Sequence, residues 1–423
     1  MYALADCNNF FVSCERAFQP QLEGRPVVVL SNNDGCVVAR SNESKAMGIK
    51  MGTPFFQLKS LVESGKLVAC SSNYTLYGDL SNRVMSILAG TLPGYQKYSI
   101  DEAFFTLDGI APERYKAVCT ELIRRVRRCT GIPVSIGIAP TKTLGKVANH
   151  FAKKYPGYRG VCIIDSDDKR LKALSLTPID DVWGIGWRGA PKLMAAGVQT
   201  ALDFVQRPEA WVRGRMGVTG VRTWKELQGT PAIADELPAP RKSICTSRSF
   251  AEMITDKAEL RLRVSDFAGI CAQKLRSEGS AASAVGVFAH TNPFRKDLPQ
   301  YYPWEMVHLD TPRNSTQEIV KAALKALDAI FREGYAYKRA GVIIDDIVSA
   351  DAVQGQLFET EDERELQRRQ DEISAIMDRV NKPGSNLLRL ATQRPGHYAD
   401  GIRREHCSPQ FTTDWSDLLE IKL

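Results

Sequence analysis

The stretch Tyr98-Ser99-Ile100-Asp101-Glu102-Ala103-Phe104 places two adjacent carboxylates between two apolar segments. Residues 95–100 and 103–107 are predicted to form two short strands that meet at this acidic pair. A third carboxylate, Asp6, ends another apolar segment at 2–6. Because strand ends from distant parts of a chain can lie side by side in one sheet, the three carboxylates could share one site.

Further strands and helices surround the acidic pair in mixed order. The runs 27–31 and 36–40 are rich in valine and flank Asn32-Asn33-Asp34-Gly35, a turn composition that predicts a hairpin. Apolar residues recur at helical or strand spacing in five more segments: helices at 74–88, 113–129 and 141–154, and strands at 133–139 and 161–164. This mixture indicates a sheet with helices on one face, of ferredoxin-like type.

The composition changes after residue 165. Short helices rich in lysine, arginine and glycine predict a small all-helical domain, and the proline-rich stretch 231–240 (PAIADELPAP) predicts a linker. Strand patterns then return and predict a second α+β domain, with strands at 243–250, 284–290, 305–309 and 341–344. Beyond residue 351 the chain is polar and has no strand pattern. The chain is therefore predicted to be an α+β multidomain protein.

The length and composition restrict the class of protein. A chain of 423 residues has room for about three domains. Its net charge of +7 is consistent with binding to a polyanion. The sequence lacks a run of about 20 apolar residues and a signal-like N-terminus, which predicts a cytoplasmic protein without a membrane partner. The ten cysteines form no C-x-x-C pair and the five histidines do not cluster, so carboxylates must carry any catalysis.

Three carboxylates in one place repel one another unless cations neutralise them. An all-oxygen donor set favours Mg²⁺ or Mn²⁺ over zinc, and a site with two such ions is typical of phosphoryl transfer. An isolated Asp-Glu pair between strands is, however, most often a solvated turn. The carboxylates alone therefore leave both interpretations open.

Four motifs decide between them: Asp6-Cys7-Asn8-Asn9-Phe10-Phe11 and the stretches 39–49, 98–104 and 137–142. They resemble, in the same order, the motifs of the Y-family translesion DNA polymerases. The segments 30–35, 71–74, 182–186 and 408–419 are similar to the UmuC-type catalytic subunits of bacterial DNA polymerase V within that family.

The resemblance implies a right-hand polymerase architecture for the α+β multidomain chain. Six regions are expected: a ferredoxin-like palm (1–9 and 75–165), small fingers (10–74), a helical helix-hairpin-helix thumb (166–232), a linker (233–240), an α+β little finger (241–350) and a C-terminal regulatory tail (351–423). The implied activity is error-prone, template-directed DNA synthesis across damaged bases in the SOS response.

The resemblance also assigns the residues of the reaction centre. The metal ligands and catalytic carboxylates fall on Asp6, Asp101 and Glu102, with the backbone carbonyl of Cys7, and would hold two Mg²⁺ ions, for which Mn²⁺ could substitute. The primer 3′-hydroxyl would attack the α-phosphate of a deoxynucleoside triphosphate (dNTP).

The incoming nucleotide is expected to contact a second group of residues: Phe10, Phe11, Asn42, Lys45 and Lys153. Family members often carry tyrosine and arginine at the positions of Asn42 and Lys45, so the donors to the triphosphate differ here. Phe11 is expected to be the steric gate that excludes a 2′-hydroxyl, and Phe10 is expected to lie in the core.

Contacts to primer-template DNA are expected from Gly184, Gly186 and Lys192 in the thumb and from Arg241, Lys242 and Arg248 in the little finger. Gln354, Leu357 and Phe358 resemble a peptide that docks on the sliding clamp. The resemblance implies two other partners, a processed UmuD-type dimer and a RecA-like recombinase. Two alternatives remain: a nucleotide cyclase on the same palm, and a catalytically idle DNA-binding assembly protein.

Overall fold

The computed structural model describes residues 1–234, 239–355, 360–381, 387–394 and 403–417. The chain divides into two units: Met1–Leu237 with Arg404–Leu423, and Pro238–Arg403. Among the described helices, none is long and apolar enough to cross a membrane.

The first unit contains two sheets and a helical region. Its strands are β1 (Tyr2–Cys7), β2 (Val27–Leu30), β3 (Val37–Arg40), β4 (Val68–Ser71), β5 (Gln96–Lys97), β6 (Glu102–Thr106), β7 (Val134–Ala139) and β8 (Val161–Ile163). Its helices are α1 (Phe10–Phe18), α2 (Asn42–Ala46), α3 (Lys59–Glu63), α4 (Tyr74–Ala89), α5 (Tyr115–Thr130), α6 (Lys142–Lys154), α7 (Asp167–Leu176), α8 (Ala190–Ala195), α9 (Ala201–Val205) and α10 (Glu209–Leu227).

The five-stranded sheet has the order β5-β6-β1-β7-β8, and its central strand β1 is antiparallel to both neighbours. Side chains alternate along β1, so Ala3 and Ala5 join the core formed with α4 and α5, whereas Leu4 packs against Gly145 of α6. Helices therefore cover both faces of this sheet. The expectation of helices on one face is wrong, because both sets of alternating positions in β1 and β7 are apolar or small.

A glycine in β7 allows α6 to lie close to this sheet. A Cβ atom at Gly137 would collide with backbone atoms of Gly145 and Asn149. Asn149 also donates its side-chain amide to the carbonyl oxygens of Ser135 (2.7 Å) and Leu4 (3.3 Å). These contacts fix the position of α6 over β1 and β7.

The smaller sheet has the order β3-β2-β4. Strand β2 pairs antiparallel with β3, which confirms the predicted hairpin, and parallel with β4. Val27 and Val29 belong to the core that contains α1, whereas Val28 and Leu30 pack with Phe55 on the other face. Both faces of β2 are buried, which explains its uninterrupted apolar sequence.

The helices α7 to α10 share a core with the outer face of α6. Gly184 in the turn before α8 has a φ of +89°, a left-handed conformation that favours glycine. A Cβ atom there would also lie 2.8 Å from the hydroxyl oxygen of Thr223 in α10. Both constraints account for a glycine at this turn.

The second unit is a four-stranded antiparallel sheet covered by helices. Its elements are β9 (Ile244–Ile254), α11 (Lys257–Ser277), β10 (Ser280–Thr291), β11 (Trp304–Arg313), α12 (Thr316–Ile330), β12 (Tyr337–Ser349) and α13 (Glu361–Val380). The strand order is β11-β10-β12-β9, and α11 and α12 share one core with the sheet. This arrangement agrees with the α+β domain predicted for this part of the chain.

Parts of the expected tail, 351–423, are folded. Helix α13 is tied to α11 by two contacts of the Arg276 guanidinium with the Asp378 carboxylate, at 2.7 and 2.8 Å. Residues 404–417 belong to the first unit, where the buried Phe411 ring stacks on Phe18. The sequence shows no periodic pattern there because a few isolated side chains make the contacts.

Candidate active site

A cavity of about 530 Å³ in the first unit is lined by all of the residues predicted to bind the metal ions and the nucleotide. It lies where the five-stranded sheet meets the start of α1, β3 and α2. The predicted residues that line it are Asp6, Cys7, Phe10, Phe11, Asn42, Lys45, Asp101, Glu102 and Lys153. Residues that are distant in sequence are thus brought to one site.

Strand pairing places the three carboxylates together. Asp6 and Glu102 are direct partners in the antiparallel pair of β1 and β6, so their side chains emerge on the same face. The backbone N–H of Cys7 donates to the carbonyl oxygen of Asp101 at 2.9 Å. The Ser99 hydroxyl donates to an Asp101 carboxylate oxygen at 2.6 Å and accepts from the Glu102 N–H at 3.0 Å. Ser99, to which the sequence analysis gave no role, therefore orients the acidic pair.

Two lysines of α6 neutralise this acidic face. The Lys153 ammonium lies 2.5 Å from Asp6 Oδ1, and the Lys146 ammonium lies 2.7 Å from Glu102 Oε1. Burial raises the pKa of Asp6 to about 6; Lys153 opposes this shift, and the negative charges of Glu102 and Asp101 add to it. The site thus holds more negative charge than its surroundings readily stabilise.

The donor set is suited to hard divalent cations. Asp6, Asp101, Glu102 and the carbonyl of Cys7 offer only oxygen atoms, which Mg²⁺ and Mn²⁺ prefer. In the described part of the chain, no group of three or more His, Cys, Asp or Glu side chains is already assembled as a metal centre, and the lysines pair with Asp6 and Glu102 instead. A cation could replace these ammonium groups, so the residues fit a divalent metal site.

Lys146 is a site residue that the sequence analysis missed. Its ammonium lies over the rings of Tyr98 (4.5 Å to the centroid) and Trp183 (5.3 Å) while it pairs with Glu102. The Trp183 indole N–H donates to the Tyr98 hydroxyl at 3.2 Å. A signal existed, since Lys146 precedes Lys153 by two helical turns and so lies on the same face of α6.

The opposite side of the cavity is cationic. The Lys45 ammonium donates to the side-chain oxygen of Asn9 at 2.6 Å, and the Asn9 amide donates to Asn42 at 3.1 Å. Desolvation by the cavity wall, followed by the positive charges of Arg40 and Lys153, lowers the pKa of Lys45. Arg40 and Lys45 therefore place two positive charges on this side of the cavity, and Lys153 lies near enough to act on Lys45 while it contacts Asp6. Asn9 and Arg40 were not predicted.

The two adjacent phenylalanines have different surroundings. Phe10 is 4% exposed and belongs to the core of the first unit, although its edge touches the cavity. Phe11 is half-buried and stacks on Tyr77, with ring centroids 4.6 Å apart. The Phe11 ring also lies near those of Phe10 and Tyr74, with centroids 5.7 and 5.8 Å away. Phe11 thus presents its ring as part of the cavity wall.

The residues predicted to contact DNA through the helical region lie around a short helix. Gly184 and Gly186 are in the turn before α8, and Lys192 is on α8 itself. This helix has six residues and begins after Gly189. The glycines of the predicted helix-hairpin-helix thumb therefore lie in a turn that leads into a short helix.

The basic residues predicted at the start of the second unit lie within β9 or just before it. Arg241 and Lys242 precede β9, and the Arg241 guanidinium lies 3.0 Å from Glu278. Arg248 is within β9, on the same face as its core partner Ala340, but its side chain is exposed. The exposed Arg339, paired with Ser249, lies on the other face. Both arginines are therefore exposed, on opposite faces of the sheet.

Of the three residues predicted to bind the clamp, Gln354 lies within the described residues. Gln354 is exposed. Leu357 and Phe358 lie outside the described residues.

Comparisons with known proteins show the family to which the chain belongs. Residues 5–150 match the impB/mucB/samB family, residues 241–357 match the impB/mucB/samB family C-terminal domain, and residues 371–421 match a domain of unknown function (DUF4113). The chain is 41% identical to the protein UmuC of Salmonella typhimurium (strain LT2) over 100% of both chains. It is 39% identical to the protein ImpB of Salmonella typhimurium over 99% of both chains.

A solved structure shares the fold. It is described as "Y-family DNA polymerase chimera Dbh-Dpo4(243-245)-Dbh" and superposes with a TM-score of 0.65 at 20% identity, covering 82% of this chain and 99% of that chain. The right-hand, multidomain fold class expected from the sequence is thereby confirmed.

Proposed function

Since the chain belongs to the impB/mucB/samB family and is a UmuC-type Y-family DNA polymerase, we propose that its translesion synthesis takes place in the cavity lined by Asp6, Asp101 and Glu102. The observation that carries this proposal is the charge distribution within one cavity. Carboxylates on the β1–β6 pair, with Lys153 bound to Asp6, line one part of the cavity, and the cations Arg40 and Lys45 line another. A nucleoside triphosphate bound to divalent cations complements both sides.

The carboxylates are proposed to hold Mg²⁺, two ions in all, with Mn²⁺ as a substitute. Bound there, the metal would favour ionisation of the primer 3′-hydroxyl and neutralise charge on the phosphates. Ser99 would keep Asp101 oriented toward the cavity through the hydrogen bond described above. Lys153 and Lys146 would turn from the carboxylates toward the anionic substrate when the cations take their place.

The cationic side is proposed to bind the triphosphate of the incoming dNTP. Lys45 acts there as a point charge, and Asn9 holds it beside Asn42. The primer 3′-oxygen forms a bond to the α-phosphorus, and the bond from that phosphorus to the pyrophosphate group breaks. The Phe11 ring, held against Tyr77, is proposed to lie beneath the sugar and to leave no space for a 2′-hydroxyl.

The remaining contacts are proposed in the same way. Primer-template DNA would contact the backbone at Gly184 and Gly186, the Lys192 side chain, and the basic residues of the second unit, Arg241, Lys242, Arg248 and, in addition, Arg339. The processed UmuD-type dimer, a RecA-like recombinase and the sliding clamp are proposed as partners. For the palm, fingers, thumb, linker, little finger and tail, we propose the residue boundaries that were predicted in the sequence analysis.

Primer extension tests the proposal directly. The full-length chain with its accessory partners should extend a primer on an undamaged and on a damaged template, and only with Mg²⁺ or Mn²⁺ present. Family membership does not favour a nucleotide cyclase or a catalytically idle assembly protein. Formation of a cyclic nucleotide without template would indicate the first, and template binding without extension would indicate the second.

A further inference from the structure

Residues 404–417, called the C-terminal segment below, pack against the smaller sheet of the first unit. The backbone N–H of Ser71 in the edge strand β4 donates to the carbonyl oxygen of His406 at 2.9 Å. The His406 N–H in turn donates to the Ser71 hydroxyl at 3.0 Å, and the Glu405 N–H donates to an Asp34 carboxylate oxygen at 2.9 Å. The segment thus covers polar groups at the open edge of this sheet.

The same segment is anchored to α1 and α4. The Phe411 ring, 6% exposed, stacks on Phe18 of α1 with centroids 4.8 Å apart. Asn73 immediately precedes α4, and its side-chain amide donates to the carbonyl oxygens of Ser408 (3.3 Å) and Pro409 (3.1 Å). The Asn73 side-chain oxygen also accepts from the N–H of Leu76 in the first turn of α4. One side chain therefore connects the segment to the start of this helix.

A buried carboxylate joins the segment to both helices. Glu15 on α1 has no exposed surface and accepts hydrogen bonds from the Tyr77 hydroxyl on α4 (2.5 Å) and the Gln19 amide (3.1 Å). The Ser408 side chain lies beside the same carboxylate, where it opposes the rise of the Glu15 pKa, and its hydroxyl oxygen accepts from the Asn73 amide at 3.1 Å. A carboxylate buried in this way depends on its donors, so removal of one donor leaves the rest of the network poorly satisfied.

This network ends at the cavity. Phe11 lies one helical turn before Glu15 on α1, and its ring stacks on Tyr77, the residue that Glu15 binds. We propose that the C-terminal segment positions Phe11: through Ser408, Glu15 and Tyr77 it sets the place of the sugar-facing ring, so that discrimination against ribonucleotides depends on this segment. The inference rests on the proposed function, and it gives part of the domain of unknown function a role at the nucleotide site.

The test measures sugar discrimination in the full-length chain. Single-nucleotide extension gives the ratio of kcat/KM for a dNTP to that for the matching ribonucleotide. Ser408→Ala should lower this ratio about 3-fold. Tyr77→Phe keeps the ring but removes the hydroxyl, and it should lower the ratio by the same factor. Ser416→Ala in the same segment is the matched control, because its hydroxyl bonds only the exposed Asp414 carboxylate among the described contacts, and it should leave the ratio unchanged.

A double variant separates positioning from a general loss of structure. In the Phe11→Ala background, Ser408→Ala should cause no further change in the ratio, because the residue through which it acts is already gone. The inference alone would be overturned if Ser408→Ala lowered kcat/KM equally for the two sugars. It would also be overturned if Ser408→Ala left the ratio unchanged while Phe11→Ala lowered it. Absence of extension by the unaltered chain would overturn the proposed function and the inference together.

Discussion

Asp6 and Glu102 are direct cross-strand partners on the β1–β6 pair, and each carboxylate contacts a different lysine of α6. Lys153 and Lys146 therefore neutralise the same acidic face from one helix. Asp101, adjacent to this pair, makes its side-chain hydrogen bond with Ser99. The three carboxylates consequently have different partners, although they lie in one cavity.

Removal of a single carboxylate should stop the chemistry. We expect Asp101→Ala and Asp6→Asn to abolish nucleotide incorporation while DNA binding persists, because each change removes an oxygen ligand and leaves the proposed DNA contacts intact. Primer extension and fluorescence anisotropy with labelled primer-template check the two parts. Extension at the rate of the unaltered chain in either variant would contradict the metal assignment.

The sequence predicted the carboxylate cluster because its parts have strong local patterns. An apolar strand ending at Asp6 and the strands around Asp101 and Glu102 leave few ways to bury their apolar residues except in one sheet. The prediction failed for the faces of that sheet, since Gly137 and its alternating neighbours allow α6 to pack where the sequence suggested an open side.

Other parts of the site carry little local signal. Asn9 adopts a φ of +48° before α1, and its contacts with Asn42 and Lys45 depend on how β1 and the smaller sheet come together. The C-terminal segment meets Asn73 across 335 positions of sequence. Such contacts are fixed by the tertiary structure, so periodicity and turn composition do not predict them.

The cationic side of the cavity should control nucleotide affinity. Lys45→Ala is expected to raise the KM for dNTP by about 10-fold with a smaller effect on kcat, because it removes a charge-assisted contact to phosphate. Asn9→Ala, which releases Lys45, should have a weaker effect in the same direction. The exposed Lys50, outside the cavity, provides the matched control as Lys50→Ala. A KM that does not change in Lys45→Ala would place the triphosphate elsewhere.

The buried Glu15 should make stability depend on pH. Burial raises its pKa above the ordinary value of 4.5, so the folded state binds more protons than the unfolded state. The contribution of Glu15 to the free energy of unfolding is therefore most favourable below pH 4.5 and is lost as pH rises through the folded-state pKa.

Glu15→Gln removes this titration. Urea unfolding at several pH values measures the free energy of unfolding of the unaltered chain and of the variant. As pH rises above 4.5, this free energy should fall in the unaltered chain relative to the variant. A difference independent of pH would mean that the folded-state pKa of Glu15 is not raised.

The predicted clamp peptide is tested by a triple substitution. Changing Gln354, Leu357 and Phe358 to alanine should remove stimulation by the sliding clamp and leave extension without clamp unchanged. The loss of two apolar anchors should weaken clamp binding by about 30-fold or more. Leu366→Ala, at an exposed apolar position on α13, is the control. A triple variant that responds fully to the clamp would show that the peptide is misread.

The last prediction separates the two phenylalanines. Phe11→Ala should open space beside the sugar and raise the use of ribonucleotides relative to deoxynucleotides by about 10-fold or more, which corresponds to about 1.4 kcal/mol of lost steric penalty. Incorporation of deoxynucleotides should fall less than in Asp101→Ala, because the metal ligands are untouched. Phe10 is buried in the core, so Phe10→Ala should destabilise the fold by about 3–5 kcal/mol without changing sugar choice. Extension with matched nucleotides and urea unfolding measure both effects. Relaxed sugar choice in Phe10→Ala alone would reverse the two assignments, and no change in either variant would place the gate at another residue.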